Sequence, residues 1–114
     1  MKIKFKQWEC IAALGYYNNG RKAITIYDEQ TTEPVATATV NLPLSDCKDD
    51  EIFVKNYSEN EGMTDALIEY GFIKKESTGS DRSGFEIIFK YKLTEKMMEL
   101  FEALKQELEG KNNG

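Results

Sequence analysis

The stretch that decides the fold is YYNNGRKAITIYD, residues 16–28. Asn19 and Gly20 form a strong short-range signal for a β-hairpin, because both residues tolerate the positive φ that a type I′ turn requires. After this turn the sequence alternates, with Ile24 and Ile26 on one face, which is typical of a half-buried strand. We therefore expect the segment after the turn to pair antiparallel with the segment before it.

The chain before this hairpin also alternates, but with a change of phase. Ile3 and Phe5 alternate with lysines, whereas between Trp8 and Tyr16 the apolar residues have the opposite parity. The change at Gln7 indicates a β-bulge or a break between two short strands.

A third strand is predicted beyond the hairpin. The segment VATATVNL, residues 35–42, is rich in β-branched side chains, and Pro43 prevents its extension. The first 43 residues therefore predict a three-stranded antiparallel meander. The segment IFVKNY, residues 52–57, is either a further strand or an extended lead-in to a helix.

The first helix is predicted between residues 58 and 71. Ser58 is followed three positions later by Glu61, which matches the capping box at the start of a helix. Gly71 offers the left-handed conformation that commonly ends one. The helical spacing places on one apolar face Met63, Ala66, Leu67 and Tyr70.

The next segment is polar and is followed by another apolar one. ESTGSDRSG, residues 76–84, predicts a flexible loop. FEIIFKYKL, residues 85–93, predicts a strand in which Ile88 interrupts strict alternation. The residues that share one face of this strand are Phe85, Ile87, Phe89 and Tyr91.

A longer helix is predicted from Thr94, its N-cap, to about Glu109, with Gly110 at its end. Residues 111–114 would then form a frayed tail. We interpret the apolar stripe of this helix as a surface that packs on the sheet. The spacing of four of its residues also matches a coiled coil, which leaves open a homodimer through Met97, Phe101, Leu104 and Leu108.

These elements predict one α+β domain over residues 1–110. It would consist of an antiparallel sheet of four to five strands, which includes the N-terminal meander, and of two helices packed against the sheet. A chain of 114 residues can fold on a single core, because a domain of this size removes roughly 65% of its unfolded surface from water.

The composition argues against several classes of function. The net charge of −5 disfavours direct binding of nucleic acid, which depends on clustered Lys and Arg. No apolar run reaches the roughly 20 residues that span a bilayer, and we predict a cytoplasmic protein without membrane contact. The chain has no histidine, and Cys10 and Cys47 match no metal spacing, so we expect neither a metal nor a cofactor. In a reducing compartment we expect both cysteines to be free thiols, with a bridge between them as the alternative.

Acidic residues are the candidates for a functional surface. Glu61, Asp65 and Glu69 follow one another at intervals of four, so they should line one edge of the first helix. They form either a solvated face or a stripe that meets a protein partner with a basic surface. Mimicry of nucleic acid would need more carboxylates nearby, for which the available residues are Asp46, Asp49, Asp50 and Glu51.

The leading hypothesis is thus a small acidic protein-binding or regulatory module without catalytic residues. An enzyme that works through carboxylates is the first alternative, with Glu59 and Glu61 as its only candidate pair. Nothing in the sequence indicates the raised pKa that a catalytic acid needs. A structural homodimer built on the last helix is the second alternative.

Several motifs between Tyr16 and Ile73 resemble a family of small uncharacterised proteins carried on bacterial mobile elements. They are the tight turn near Gly20, TVNLP, DEIFVKNYSENEGM, and the helix that ends at YGFI. The resemblance implies a bacterial or phage source and, with it, an accessory of a mobile element or an inhibitor of a host factor. It implies no established activity, cofactor or catalytic residue.

Overall fold

The computed structural model describes the backbone of residues 1–113 and the side chains of residues 1–110. The predicted α+β class is confirmed, with two four-stranded antiparallel sheets and two α-helices. The strands are β1 (Lys2–Phe5), β2 (Trp8–Tyr16), β3 (Lys22–Asp28), β4 (Pro34–Thr37), β5 (Thr39–Val40), β6 (Glu51–Val54), β7 (Ile73–Ser83) and β8 (Glu86–Leu93). A 3-10 helix covers Ser58–Asn60, and the α-helices are α1 (Met63–Glu69) and α2 (Glu95–Asn113).

The first sheet has the order β1-β2-β3-β4 and contains the predicted hairpin. Tyr16 lies opposite Lys22 in the antiparallel register of β2 and β3. The turn differs from type I′, because only Gly20 has a positive φ, at 83°. The Gly20 N–H donates to the Tyr17 carbonyl at 2.9 Å, and the Tyr17 N–H donates to the Arg21 carbonyl at 2.8 Å. This is the three-residue loop in which a left-handed glycine follows a type I turn.

The phase change near the amino terminus marks a hairpin between two strands. Phe5 lies opposite Trp8, and Lys6 adopts a positive φ of 56° in the turn between them. The meander therefore has four strands, one more than predicted. Its alternating residues face the core as expected, since Ile3 pairs with Cys10 and both are buried.

Ala38 divides the predicted third strand between the two sheets. The residues before it form β4, which pairs with β3, and those after it form β5, which pairs with β6. The Ala38 N–H donates to the Ile24 carbonyl at 2.8 Å, and the Ala38 carbonyl accepts the Lys55 N–H at 2.9 Å. Because Ala38 bonds to both sides, the chain passes from one sheet to the other without leaving a buried backbone group unpaired.

The core lies between the sheets and both helices. The first sheet contributes alternate residues of β1, β2 and β3, and the second sheet, ordered β5-β6-β8-β7, contributes residues of β6 and the base of its long hairpin. Both helices bury one face in it, as predicted. The largest fully buried apolar side chains include Phe72, Phe101, Ile24, Ile26, Leu67 and Met97.

The predicted capping box is wrong. Ser58 has a φ of 54° and belongs to the 3-10 helix, and α1 begins only after Gly62, whose φ is 97°. Asn56 replaces the serine, since its Oδ1 accepts the Thr64 N–H at 2.8 Å. The 3-10 helix is held by Asn60, a residue 1% exposed that donates to two backbone carbonyls. This local turn delays the start of α1.

The predicted end of α1 is confirmed. Gly71 has a φ of 76°, and its N–H donates to the Ile68 carbonyl at 3.1 Å. The Phe72 N–H donates to the Leu67 carbonyl at 2.8 Å. These two bonds form a Schellman motif, which turns Phe72 into the core.

The predicted loop at residues 76–84 is wrong, because it is most of β7. Ser83 lies opposite Glu86, and Gly84, with a φ of 61°, makes the turn into β8. The register shifts between Ile73 and Ser77 and again between Ser77 and Gly79. Apart from Ile73 at its base, β7 is exposed or half-buried, so its strand carries polar residues on both faces.

The last helix begins as predicted and ends later. Thr94 Oγ1 accepts the Met97 N–H at 3.3 Å and donates to the Gly71 carbonyl at 2.7 Å. The helix continues through Gly110, where its end was predicted, so residues 111–113 of the predicted tail belong to α2. Gly114 lies outside the described residues. No helix in the described part of the chain has the length and apolar content needed to cross a membrane.

Candidate interaction surface

An apolar stripe lies exposed on β8. Ile87 and Phe89 are 54% and 49% exposed, and Tyr91 beside them is half-buried. They alternate along the strand, so they share one face, as the sequence indicated. Phe85, in the turn at the end of the stripe, is fully exposed. We call Ile87, Phe89 and Tyr91 the β8 stripe.

The β8 stripe continues the face that covers the core. At the base of the hairpin, Leu93 pairs with Ile73 and both are buried. The neighbour β6 pairs with β8 only from Lys90 to Lys92. The outer half of β8 therefore has β7 as its only strand neighbour, and its apolar face extends past the core into solvent.

A cleft of about 370 Å³ runs beside the stripe. Besides the β8 stripe, it is lined by residues that follow β6 and by the first turn of α1, including Tyr57, Thr64 and Asp65. Its only charged lining residues are Asp65 and Glu86, both acidic. No residue of β7 lines it, so the cleft lies on the side of β8 that faces away from β7.

The structure keeps two of the three acids predicted to share a helix edge on α1, Asp65 and Glu69, and places Glu61 before the helix. Glu61, Asp65 and Glu69 are all exposed, and none of them makes an ion pair with the side chains of residues 1–110. Glu61, however, precedes α1 and donates its backbone N–H to the Ser58 carbonyl at 3.2 Å. Only Asp65 lines the cleft. The predicted row of three on one helix is therefore wrong, and Asp65 is the member that meets the stripe.

Three acids of the 46–51 loop lie on the opposite face of the second sheet, namely Asp46, Asp50 and Glu51. Lys90 alternates with Phe89 and Tyr91, so its side chain is on the face opposite the β8 stripe. It donates to the Asp46 carbonyl at 3.0 Å and lies 3.5 Å from the Glu51 carboxylate. Asp50 is 3.5 Å from Lys92 on the same face. These acids do not join Asp65 in one negative patch.

Glu51 holds this loop in place. Its side chain is 6% exposed, and its carboxylate accepts the Lys48 N–H at 2.8 Å. Burial raises the pKa of the Glu51 carboxyl, but the Thr78 side chain, the Lys48 N–H and Lys90 outweigh burial and lower this pKa below its ordinary value. Glu51 is therefore a buried structural carboxylate, which corrects its assignment to a partner surface.

A buried lysine went unrecognised in the sequence. Lys22 lies opposite Tyr16 on the core face of the first sheet, and its side chain is 6% exposed. Its Nζ donates to the Asp49 carbonyl at 2.7 Å and to the Asp49 carboxylate at 3.0 Å. Asp49 thus neutralises Lys22. The only signal in the sequence was that Lys22 lies two positions before Ile24 and so shares its face of the strand.

Lys22 also lies at a second cleft, of about 340 Å³, between α2 and the β2–β3 hairpin. The Tyr16 hydroxyl donates to the Phe101 carbonyl at 2.7 Å and ties the two elements together. Charges of both signs line this cleft, including Lys105 and Glu102. They mark no single class of ligand.

The proposed dimer residues of α2 have different environments. Met97 and Phe101 are fully buried in the core of their own chain, and Leu104 is half-buried. Leu108 is 42% exposed. Half of the predicted coiled-coil face is therefore occupied by intrachain packing.

The carboxylates considered for catalysis lack the environment of a catalytic acid. The Glu59 carboxylate accepts a hydrogen bond from Lys55 at 3.0 Å, which lowers the pKa of the Glu59 carboxyl. Glu61 beside it is exposed. No group of three or more metal-ligating side chains occurs within the described residues, and both cysteines there are free.

No protein-family model, curated protein or solved structure matches this chain. The resemblance to a family carried on bacterial mobile elements stays a prediction. The function is therefore inferred from the residues of this chain and their geometry.

Proposed function

We propose that this chain is a small protein-binding module that uses the β8 stripe and its cleft as the binding surface. The observation that supports the proposal is the position of Ile87 and Phe89, which extend the apolar core face into solvent. Contiguous exposed apolar surface beside polar residues is characteristic of interaction sites.

The stripe has the chemistry of an interface centre. Aromatic residues are enriched there, and each removes a large apolar area from water when it is covered. The gain is roughly 25 cal/mol for each Å² of apolar surface buried. The stripe is held by the hydrogen bonds of a β-hairpin, so Phe89 is presented on an ordered backbone and binding does not have to order a loop.

The charges near the stripe select the partner. Asp65 and Glu86 are the charged residues that line the cleft, and the whole chain has a net charge of −5. A partner that places Lys or Arg beside its own apolar side chains would therefore be favoured at the cleft. The partner is thus still one with basic groups, as predicted from the sequence, but its site lies at the cleft and not along the α1 edge.

A regulatory role fits such a module. Binding through one surface would allow the chain to hold or block a partner protein, as an accessory of a mobile element or as an inhibitor of a host factor. This context rests on the resemblance of the segment from Tyr16 to Ile73 and needs no catalytic residue.

Selection from a displayed library of random peptides tests the proposal. On the immobilised wild-type protein, we expect enrichment of peptides that combine aromatic or aliphatic residues with Lys or Arg. Phe89→Ser and Asp65→Lys should each weaken binding of these peptides by about tenfold or more, which corresponds to at least about 1.4 kcal/mol.

Two matched controls locate the site. Glu69→Lys makes the same charge change on α1 outside the cleft, and Leu108→Ser removes an exposed apolar group of α2. Both variants should bind the selected peptides as the wild type does. Peptides that tolerate Phe89→Ser and Asp65→Lys but lose affinity for Leu108→Ser would place the binding surface on α2 and contradict the proposal.

A further inference from the structure

We infer that the partner of the β8 stripe is a second copy of this chain, bound face to face across a two-fold axis. The inference rests on the proposed function, because it names the partner of the same surface. It comes from the unpaired charges on the two sides of the stripe.

One side of the stripe carries a base. Arg82 of β7 lies directly opposite Ile87 in the antiparallel register, so the two side chains are on the same face. Arg82 is exposed, and its guanidinium makes no ion pair within residues 1–110. Arginine is enriched in protein interfaces, where its planar group can bind a carboxylate through two hydrogen bonds.

The other side of the stripe carries an acid. Asp65 lines the cleft on the side of β8 away from β7, and its carboxylate has no ion-pair partner among the described side chains. The face therefore has an unpaired acid, an apolar centre and an unpaired base in that order.

This order of charges is complementary to itself. A two-fold axis that runs along the stripe, between two facing copies, exchanges the left and right sides of the face. Arg82 of each copy then meets Asp65 of the other copy, and the two stripes cover each other. Both charge pairs form together, because the interface uses the same patch twice.

The strand next to the stripe leaves room for the second copy. Ser80 lies opposite Phe89, and Ser77 lies opposite Tyr91. A small side chain beside each ring keeps this part of the face low, so the facing stripe can approach the rings closely. Packing of this kind is typical of the energetically important centre of an interface.

The outer edge of β7 is less suited to association than its face. Two register shifts, at Ser77 and Gly79, disrupt the regular row of backbone donors and acceptors that a further strand would require. Lys74 and Lys75 are exposed on the same strand, and charged edge strands resist pairing. The second copy therefore covers the face and does not extend the sheet.

Sedimentation equilibrium with charge-reversal variants tests the inference. The wild type should show a reversible monomer–dimer equilibrium. Arg82→Glu brings two acids together at each charge pair, and Asp65→Arg brings two bases together, so each should weaken dimerisation by about tenfold or more. The double variant restores opposite charges with their positions exchanged and should dimerise within about threefold of the wild type.

A mixture of the two single variants provides a further test. Each variant alone should be mainly monomeric, whereas an equimolar mixture should form heterodimers, because every charge pair across the interface then joins an acid to a base. Glu69→Arg is the matched control, since it changes the same charge on α1 outside the cleft and should dimerise as the wild type does. Thermal melts of all variants verify that each is folded.

A wild type that stays monomeric at the highest soluble concentration would overturn the inference, and so would a double variant no better than the single ones. If the monomeric protein still binds displayed peptides in a manner that depends on Phe89, only the identity of the partner is wrong. If those peptides are also indifferent to Phe89→Ser, the proposed function fails as well.

Discussion

The stability that Glu51 contributes to the folded protein depends on pH. Its carboxylate is nearly inaccessible, yet it is ionised because the Lys48 N–H, Thr78 and Lys90 stabilise the charge. A group whose pKa is lower in the folded than in the unfolded protein adds stability above its unfolded pKa, here near 4.5. This contribution is lost as the pH falls from about 4.5 through the folded pKa.

We therefore predict a pH-dependent effect of Glu51→Gln. The difference in unfolding free energy between wild type and variant should be largest near neutral pH and should shrink as the pH falls below about 4.5. Urea denaturation at a series of pH values measures it. Glu69→Gln, at an exposed position, should differ little from the wild type at every pH, and a constant difference for Glu51→Gln would show that its charge is not what matters.

The start of α1 can be tested at two residues, the predicted cap Ser58 and the observed acceptor Asn56. Asn56→Ala removes the acceptor of the Thr64 N–H and should cost about 1 kcal/mol in unfolding free energy. Ser58→Ala removes a hydroxyl that makes no cap and should cost less than about 0.5 kcal/mol. Chemical denaturation of both variants measures the two losses. A larger loss for Ser58→Ala than for Asn56→Ala would support the capping box instead.

Local signals predicted some of these residue positions and could not predict others. Gly71 was correctly placed, because a left-handed C-terminal cap depends on its own helix alone. Ser58 was misplaced because the 3-10 helix before α1 is fixed by Asn60, which bonds to the Thr37 carbonyl at 2.7 Å. That contact joins residues 23 positions apart, so no local pattern contains it.

At the scale of elements, α2 is a structural part of the core. Phe101 is fully buried, and its ring centroid lies 5.7 Å from that of Tyr16 in an edge-to-face contact. Phe101→Ala should cost about 3 to 5 kcal/mol, while Leu108→Ala should cost little because Leu108 is half solvated. Denaturant titration measures both. Equal, small losses would mean that α2 is not packed on the sheets.

Removal of α2 is a stronger test of the same element. A chain truncated after Leu93 would expose the core that Met97 and Phe101 cover, and we expect it to be unfolded by circular dichroism. A truncated chain that stays folded and changes from dimer to monomer would show that the helix belongs to an interface.

The β7–β8 hairpin shows the limit of periodicity as a signal. The alternation of Ile87 and Phe89 correctly predicted a strand, but alternation cannot tell a core face from a face in solvent. That depends on β6, which ends at Val54 and pairs with only three residues of β8. The sequence of β7 is polar and shows no alternation of apolar residues. It forms a strand because it pairs with β8, which no pattern within its own sequence indicates.

On the scale of the whole molecule, the chain has a packed half and a hairpin that carries the proposed binding face. The first sheet, both helices and the base of the second sheet form a continuous core. The outer hairpin adds little to this core and displays the β8 stripe between Asp65 and Arg82. The sequence predicted Asp65 as a partner residue, which stays a prediction, whereas Arg82 and the cleft required the register and the packing of α1 to be known.

The exposed position of the stripe yields a prediction for the folded molecule. Phe89→Ser and Ile87→Ser should leave the melting temperature nearly unchanged, since exposed substitutions usually change stability by less than about 0.5 kcal/mol. Ile88→Ser, at the buried residue between them, should lower it clearly. Differential scanning calorimetry compares the three, and equal losses would mean that the stripe is part of the core.

Methyl NMR of isoleucine-labelled protein, titrated with the strongest peptide from the displayed library, tests directly whether the β8 stripe is a protein-binding surface. We expect large shifts for the Ile87 methyl groups and none for the core residues Ile3 and Ile24. Unchanged Ile87 signals, with binding mapped by amide shifts to α2 around Leu104 and Leu108 or to the 46–51 loop, would contradict the proposed function.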